Sequence, residues 1–207
     1  DVAGVAFATL ISQITTTLLS VFIILKTFSL KEIMHNVNLK EIFDKAKVAY
    51  PTNDMTYDDL MAMAENLKKA GLGDGVYPFA CPVDFQTWYY QTVYANGGYI
   101  LSEDKMSTGY DDPKTQGGIQ CWIDFINKDL SPSSASLAET SADAMFEAGQ
   151  LAMNFAGSYM VPEYAGNETI KDKIDCVEIP TFNGVEDNCI NGLGYAVYEG
   201  SPNKEAA

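Results

Sequence analysis

Arginine is missing from this chain of 207 residues, histidine occurs once, at His35, and no two of the four cysteines fall in a CxxC spacing. Each absence closes off a class of function. With no Arg and only 13 Lys against 28 Asp and Glu, the formal charge is −15 and no basic stripe exists to neutralise phosphates. Nucleic acid is therefore not an expected partner. One His outside the main body of the chain cannot serve a Ser/His/Asp or Cys/His device there. Cys81, Cys121, Cys176 and Cys189 are separated by 40, 55 and 13 positions, and no second His completes a zinc site. Neither a metal nor a cofactor is expected. A Cys176–Cys189 disulfide across a hairpin-like excursion stays open. No cysteine precedes Cys81, so a lipoprotein cysteine is also lacking. No carboxylate pair sits in a recognisable glycosidase motif, and no enzyme activity is expected. Glu103-Asp104 and Asp111-Asp112 lack the calcium-loop spacing and read as a solvated loop and a helix cap.

What is present is unevenly spread. Residues 1–50 hold five Lys and four acids, a charge of +1, whereas residues 51–207 hold eight Lys and 24 acids, −16. Residues 2–25 are 24 consecutive uncharged positions, enough at about 1.5 Å per residue to cross a hydrocarbon core of roughly 30 Å. A transmembrane helix is the first reading, softened by Thr9, Ser12, Gln13, Thr15, Thr16, Thr17 and Ser20. A buried soluble helix is the alternative. A signal peptide fits worse, because a basic n-region and a small-x-small cleavage site are wanting. Small residues at Ala3, Gly4, Ala6 and Ala8 suit close packing within a polytopic bundle.

The run Asp1-Val-Ala-Gly-Val-Ala-Phe-Ala-Thr-Leu-Ile-Ser-Gln13 resembles a helix start of the multidrug and toxin extrusion transporters, loosely out to residue 35. That resemblance implies a second reading, a fragment of a membrane drug efflux transporter fused to an unrelated tail. Topology bears on both readings. Lys26, Lys31, Lys40, Lys45 and Lys47 all follow the apolar run, which would hold the remainder of the chain in the cytoplasm.

From residue 37 the character changes, dividing the chain into an apolar segment with its junction, 1–36, and a main body, 37–207. Residues 39–46 read as a short helix, and Pro51 biases Tyr50 toward extended backbone. Thr56 and Asp59 form a capping signature for a helix carrying Leu60, Met63, Ala64 and Leu67 and ending at Gly71. Residues 76–80 look like a strand. Asp84 can cap a helix through Tyr94 that stops at Asn96-Gly97-Gly98. Asp112-Pro113 opens a further helix with Ile119, Trp122, Ile123 and Ile126 on one face. A helix from 141 to 148, a buried strand at 151–155, a turn at 157–160 into another helix, and strands at 176–179 and 193–198 complete an α/β pattern.

Several ordered landmarks then converge. They are Ile42-Phe-Asp-Lys-Ala46 with Tyr50-Pro51 and the Thr56 helix start; Trp88 with Asn96-Gly-Gly98; Ala144-Met-Phe-Glu-Ala-Gly-Gln-Leu-Ala-Met153; Gly157-Ser-Tyr159; Ile179-Pro180; and Asn191-Gly-Leu-Gly-Tyr-Ala-Val197. Together they resemble the second half of a bacterial extracellular solute-binding protein of the sugar ABC importer family, maltose-binding-protein-like. The resemblance implies an incomplete lobe of the type II periplasmic-binding-protein-like fold, behind an apolar helix. It further implies capture of a sugar or oligosaccharide outside the membrane or in the periplasm, delivery to ABC permease subunits, and membrane contact through residues 2–25. The cytoplasmic side dictated by the lysines contradicts that location, which favours a fused or truncated composite.

Sugars present a C–H face that stacks on aromatic rings and a rim of hydroxyls that needs donors and acceptors. Tyr159 stands in the turn after a strand, where a side chain projects into a cleft, and the resemblance places a stacking ring there. Trp88 and Phe85 follow as candidate ligand contacts on the helix that also carries Tyr89, Tyr90 and Tyr94. Gly192 and Gly194 match a glycine-rich turn that brings backbone close to ligand in relatives. Part of the aromatic set on the helix must fill the core instead, and Trp122, sharing its stripe with Ile119 and Ile126, is a core residue.

Overall fold

A computed structural model describes residues 39–82, 86–190, 192, 194 and 196–202. The backbone divides after Val37, and all described residues belong to the unit Asn38–Ala207. The apolar run, its transmembrane reading, its transporter resemblance and His35 lie outside the described residues. Among the described residues no helix is long and apolar enough to cross a membrane.

Helix α1, Leu39–Ala46, precedes α2, Tyr57–Ala70. The expected capping box is formed. Thr56 accepts from the Asp59 amide at 3.1 Å, and the Asp59 carboxylate accepts from the Thr56 amide at 2.9 Å and its hydroxyl at 2.7 Å. Those bonds to the ionised form hold the Asp59 carboxyl below its ordinary range. The helix ends at Gly71, whose φ of 80° suits a residue without Cβ. Its buried face is Tyr57, Leu60, Ala64 and Leu67.

Helices α3, Gln86–Ala95, and α4, Pro113–Asn127, pack on each other. Asp112 caps α4 by accepting from the Lys114 amide at 2.7 Å, with Pro113 in the first turn. Gly118 makes the approach possible, because a Cβ there would fall 2.5 Å from Val93 Cα and 2.6 Å from the Thr92 carbonyl oxygen. Trp122 Nε1 donates to Thr92 Oγ1 across the same contact at 2.9 Å. The buried stripe of α4 is Thr115, Gly118, Trp122 and Phe125, not the isoleucine face expected. Ile123 is exposed and Ile119 and Ile126 lie at the stripe's edge, since the small Gly118 draws its own side of the helix inward.

Two short helices follow, α5, Ser134–Glu139, and α6, Ala142–Glu147, each with a serine N-cap, Ser133 and Ser141. Sequence patterning identified only the second. A 3-10 turn, Ser158–Met160, leads into α7, Val161–Gly166.

The strands are a correction. Among the described residues, pairing is reduced to isolated bridges, Thr56 with Thr181 and Tyr77 with Leu151 in parallel, Leu101 with Thr108 and Phe182 with Val185 antiparallel. Tyr77 pairs in full, donating to the Gln150 carbonyl at 2.8 Å and accepting from the Ala152 amide at 3.0 Å. The Pro78 carbonyl still accepts from the Met153 amide at 3.1 Å, but the Phe79 amide turns to the Leu130 carbonyl at 3.3 Å, so the donors of this segment leave the 150–153 run after one rung. At 176–179, where a strand was expected, side chains occupy the amides instead. Cys176 donates to Asp175 Oδ1 and Glu178 to Asn53 Oδ1.

An aromatic core lies where these pieces meet. Phe79 and Trp122 are fully buried, with ring centroids 6.1 Å apart and nearly parallel planes. Phe125 and Tyr57 close on the same rings. At about 25 cal/mol per Å² of apolar surface withdrawn from water, such rings are the largest single contributions to this lobe's stability.

Candidate functional site

Residues 151–153 run buried toward the core, and Phe155 completes the run by stacking on Trp88 at 6.0 Å with 13° between planes. It also meets Phe79, Trp122 and Tyr57 edge-on. Beyond Phe155 the chain leaves the core. Ala156 is exposed, and the turn that follows carries Tyr159 into solvent with 64% of its surface exposed. The ring folds back over Gly157, where an added Cβ would overlap its edge carbons, so glycine at that position gives the ring its place.

The turn is tied down from behind. Tyr164 on α7 donates its hydroxyl to Asp143 Oδ1 on α6 at 2.7 Å, and Asn154 Nδ2 donates to the same oxygen at 2.8 Å. Burial, then the bond to that carboxylate, pushes the Tyr164 hydroxyl far above its ordinary value, so it remains a donor across the physiological range. Its ring also packs on Phe146 at 5.4 Å. At the end of α7, Asn167 Nδ2 donates to Glu147 Oε2 at 3.2 Å. Tyr159 thus sits between a core anchor, Phe155, and a polar clasp, Asp143–Asn154–Tyr164.

The other expected site residues fall elsewhere. Trp88 is 8% exposed, its ring among Phe79 and Phe155, and it faces the core instead of an open surface. Burying its large apolar face against those rings outweighs leaving it free. Phe85 lies outside the described residues. Gly192 and Gly194 are exposed, and an added Cβ at either would meet nothing within 4 Å, so the backbone makes no close approach to other described parts of the chain there. Trp88 therefore does not share an open face with Tyr159. Sequence reasoning missed the clasp, because nothing in the spacing of Asp143, Asn154 and Tyr164 pairs them before the turn closes.

Four free thiols, Cys81, Cys121, Cys176 and Cys189, replace the disulfide left open above. Burial pushes the Cys121 thiol up to about 12 and the Cys81 thiol higher still, which leaves both protonated and inert. Among the described residues no cluster of three or more His, Cys, Asp or Glu could hold a metal ion.

A family model described as bacterial extracellular solute-binding protein matches residues 34–207. No curated protein matches the chain. Among solved structures, an ABC substrate-binding protein from Listeria monocytogenes, Lmo0181, in complex with cycloalternan, shares 28% identity over 62% of this chain and 33% of its own, with a TM-score of 0.53. The GacH receptor of Streptomyces glaucescens, solved unliganded and with acarbose and an acarbose homolog, shares 20% over 82% of this chain and 42% of its own, TM-score 0.65. A sugar transporter from Rhizobium etli in an open conformation shares 24% over 72% and 37%, TM-score 0.55. The last two establish likeness of fold, periplasmic-binding-protein-like. The chain spans between a third and about two fifths of the length of these structures. Neither the transporter resemblance of residues 1–35 nor a composite of two proteins finds support in these matches.

Proposed function

Because this chain belongs to the bacterial extracellular solute-binding proteins, we propose that it captures a carbohydrate outside the cytoplasmic membrane, or in the periplasm, and presents it to ABC-type permease subunits without chemistry of its own. The observation that carries this reading is the family match across residues 34–207. The likeness to a relative solved with cycloalternan adds the substrate class, an oligosaccharide.

Within this reading Tyr159 is the residue on which a sugar ring lies. Its ring is exposed, preceded by a glycine that makes room for it, and backed by the Asp143–Asn154–Tyr164 clasp. A tyrosine face accommodates the C–H side of a pyranose while its hydroxyl reaches the rim. Rigid backing matters because any freedom of the turn would be lost again on binding. Trp88 has a supporting part, holding Phe155 and so the start of the turn.

Calorimetric titration of the chain with a panel of mono- and oligosaccharides, cycloalternan and maltotriose included, tests the proposal. A saturable heat that falls several-fold in Tyr159→Ala is expected, in line with the roughly 0.5–1.5 kcal/mol of an aromatic contact. Absence of heat across the whole panel would sink the reading.

A further inference from the structure

Asparagine followed by glycine occurs three times, at Asn96-Gly97, Asn183-Gly184 and Asn191-Gly192. The pair has a chemistry of its own. With no side chain on the glycine, its backbone nitrogen can approach the carboxamide carbon of the asparagine before it. Asn191 lies outside the described residues, whereas the other two asparagines meet. Asn183 Nδ2 donates to Asn96 Oδ1 at 2.7 Å, joining positions 87 apart.

Their surroundings differ at both reacting groups. At the end of α3 the Gly97 amide, the nucleophile for Asn96, donates to the Tyr94 carbonyl at 2.8 Å, and the Gly98 amide to the Val93 carbonyl at 2.9 Å. Asn96 Nδ2, the leaving nitrogen, donates to the Lys114 carbonyl at 2.7 Å. Gly117 presses on that nitrogen closely enough that an added Cβ would lie 2.6 Å away. Asn183 is held more lightly. It has φ of 51° and Gly184 of 74°, the left-handed pair that a tight two-residue turn selects Asn-Gly for. Two backbone bonds between Phe182 and Val185, at 3.0 and 2.9 Å, close the turn. Asn183 and Gly184 are exposed, and among the described residues the Gly184 amide has no acceptor. A Cβ added at Gly184 would meet nothing within 4 Å. Parting two bonds frees this asparagine, whereas freeing Asn96 requires unwinding the end of α3.

We propose that Asn183-Gly184 is a site of spontaneous succinimide formation, and that its reaction releases the 182–185 turn from helix α3. The Gly184 nitrogen gives up its proton and bonds to Asn183 Cγ; the Cγ–Nδ2 bond breaks and ammonia leaves, carrying that proton. Water then opens the ring at either carbonyl, giving isoaspartate or aspartate. No oxidant or enzyme is needed. The donating carboxamide is replaced by a carboxylate, which has only acceptors to set against Asn96 Oδ1. Asn96 cannot reverse its own amide to compensate without surrendering the Lys114 carbonyl. The turn follows directly on Thr181, whose bonds to Met55 and Tyr57 join it to the start of α2, so the new charge arises beside that junction.

Incubating the full chain at mildly alkaline pH and mapping its peptides by mass spectrometry tests this. The signature is the loss of one ammonia and the gain of one water, assigned to a residue by fragmentation. In the folded chain Asn183 is expected to convert at least about tenfold faster than Asn96, a ratio that reflects their different costs of local opening. In denaturant the two rates should converge. Equal rates in the folded chain, faster loss of Asn96, or conversion confined to Asn191 overturns the site. Asn183→Asp reproduces one product and reads the release: hydrogen exchange of the Phe182 and Val185 amides is expected to quicken several-fold while the helices keep their protection. Unchanged exchange at those amides overturns the release.

Discussion

Phe155 and Tyr159, four residues apart, meet opposite surroundings. The first is stacked on Trp88 and wedged against Phe79, Trp122 and Tyr57; the second is 64% exposed on a turn braced from behind. Helix α3 repeats the contrast within one element, Trp88 inward and Tyr94 outward. In each pair the tyrosine faces water and the residue without a phenol faces the core. The hydroxyl decides the sorting: an unpartnered buried O–H is costly, so a tyrosine goes inside only where a partner waits, as Gln91 does for Tyr57. A lobe rich in rings can thus build a core and an exposed aromatic face from one chemical class, separated by a single oxygen atom.

Removing an inward ring should break the inner half of this comparison outright. Trp122→Ala is expected to lower the unfolding free energy by about 3–5 kcal/mol, read from denaturant midpoints, because it deletes a fully buried indole and removes the N–H that the Thr92 hydroxyl accepts from. A loss below about 1 kcal/mol would mean the core is not organised around that ring. Gly118→Ala attacks the same region from the backbone side. Its Cβ would press on Val93 and Thr92, and separating α3 from α4 should reduce stability by roughly 1–3 kcal/mol, visible as a lower melting temperature. An unchanged melting point would show that the two helices can slide apart freely.

On the outer half, Tyr159→Ala should move stability by no more than about 0.5 kcal/mol while weakening saccharide binding. Substantial unfolding in that variant would erase the distinction between the two regions. The smallest effect concerns Asp59. Its carboxyl lies below its ordinary value in the folded chain, so its contribution is complete above the unfolded carboxyl value of 3.8 and fades as pH falls through the lower folded one. Thr56→Ala should flatten that acid limb of the stability profile, and an identical limb in both proteins would count against the capping box as its source.

Helix starts were the most legible features of the sequence. Thr56, Asp112 and Ser141 act within two or three residues of themselves, so their capping can be read locally. Strands were not, because a ladder depends on distant partners, as where the Phe79 amide turns to the Leu130 carbonyl and away from the run that pairs with Tyr77. The same limit governs the site. The turn that carries Tyr159 was legible, whereas the burial of Trp88 depends on Phe79 and Phe155 arriving from other segments. The contact of Asn183 with Asn96 could not be anticipated either, since it joins residues 87 positions apart.

The parallel bridge between Thr56 and Thr181 has a temporal meaning. The Thr181 amide donates to the Met55 carbonyl at 2.9 Å and its carbonyl accepts from the Tyr57 amide at 3.1 Å, closing a loop of about 125 residues with the help of the Glu178–Asn53 bond and the Tyr57–Phe182 ring contact. The entropy of closing such a loop must be met before those bonds return anything, whereas α2 and the α3–α4 pair assemble from nearer neighbours. This seam is expected to join late during folding and to part early in a native-state fluctuation. Hydrogen exchange should therefore release the Thr181 amide well before that of Ala152, and the reverse order would place the seam among the early contacts.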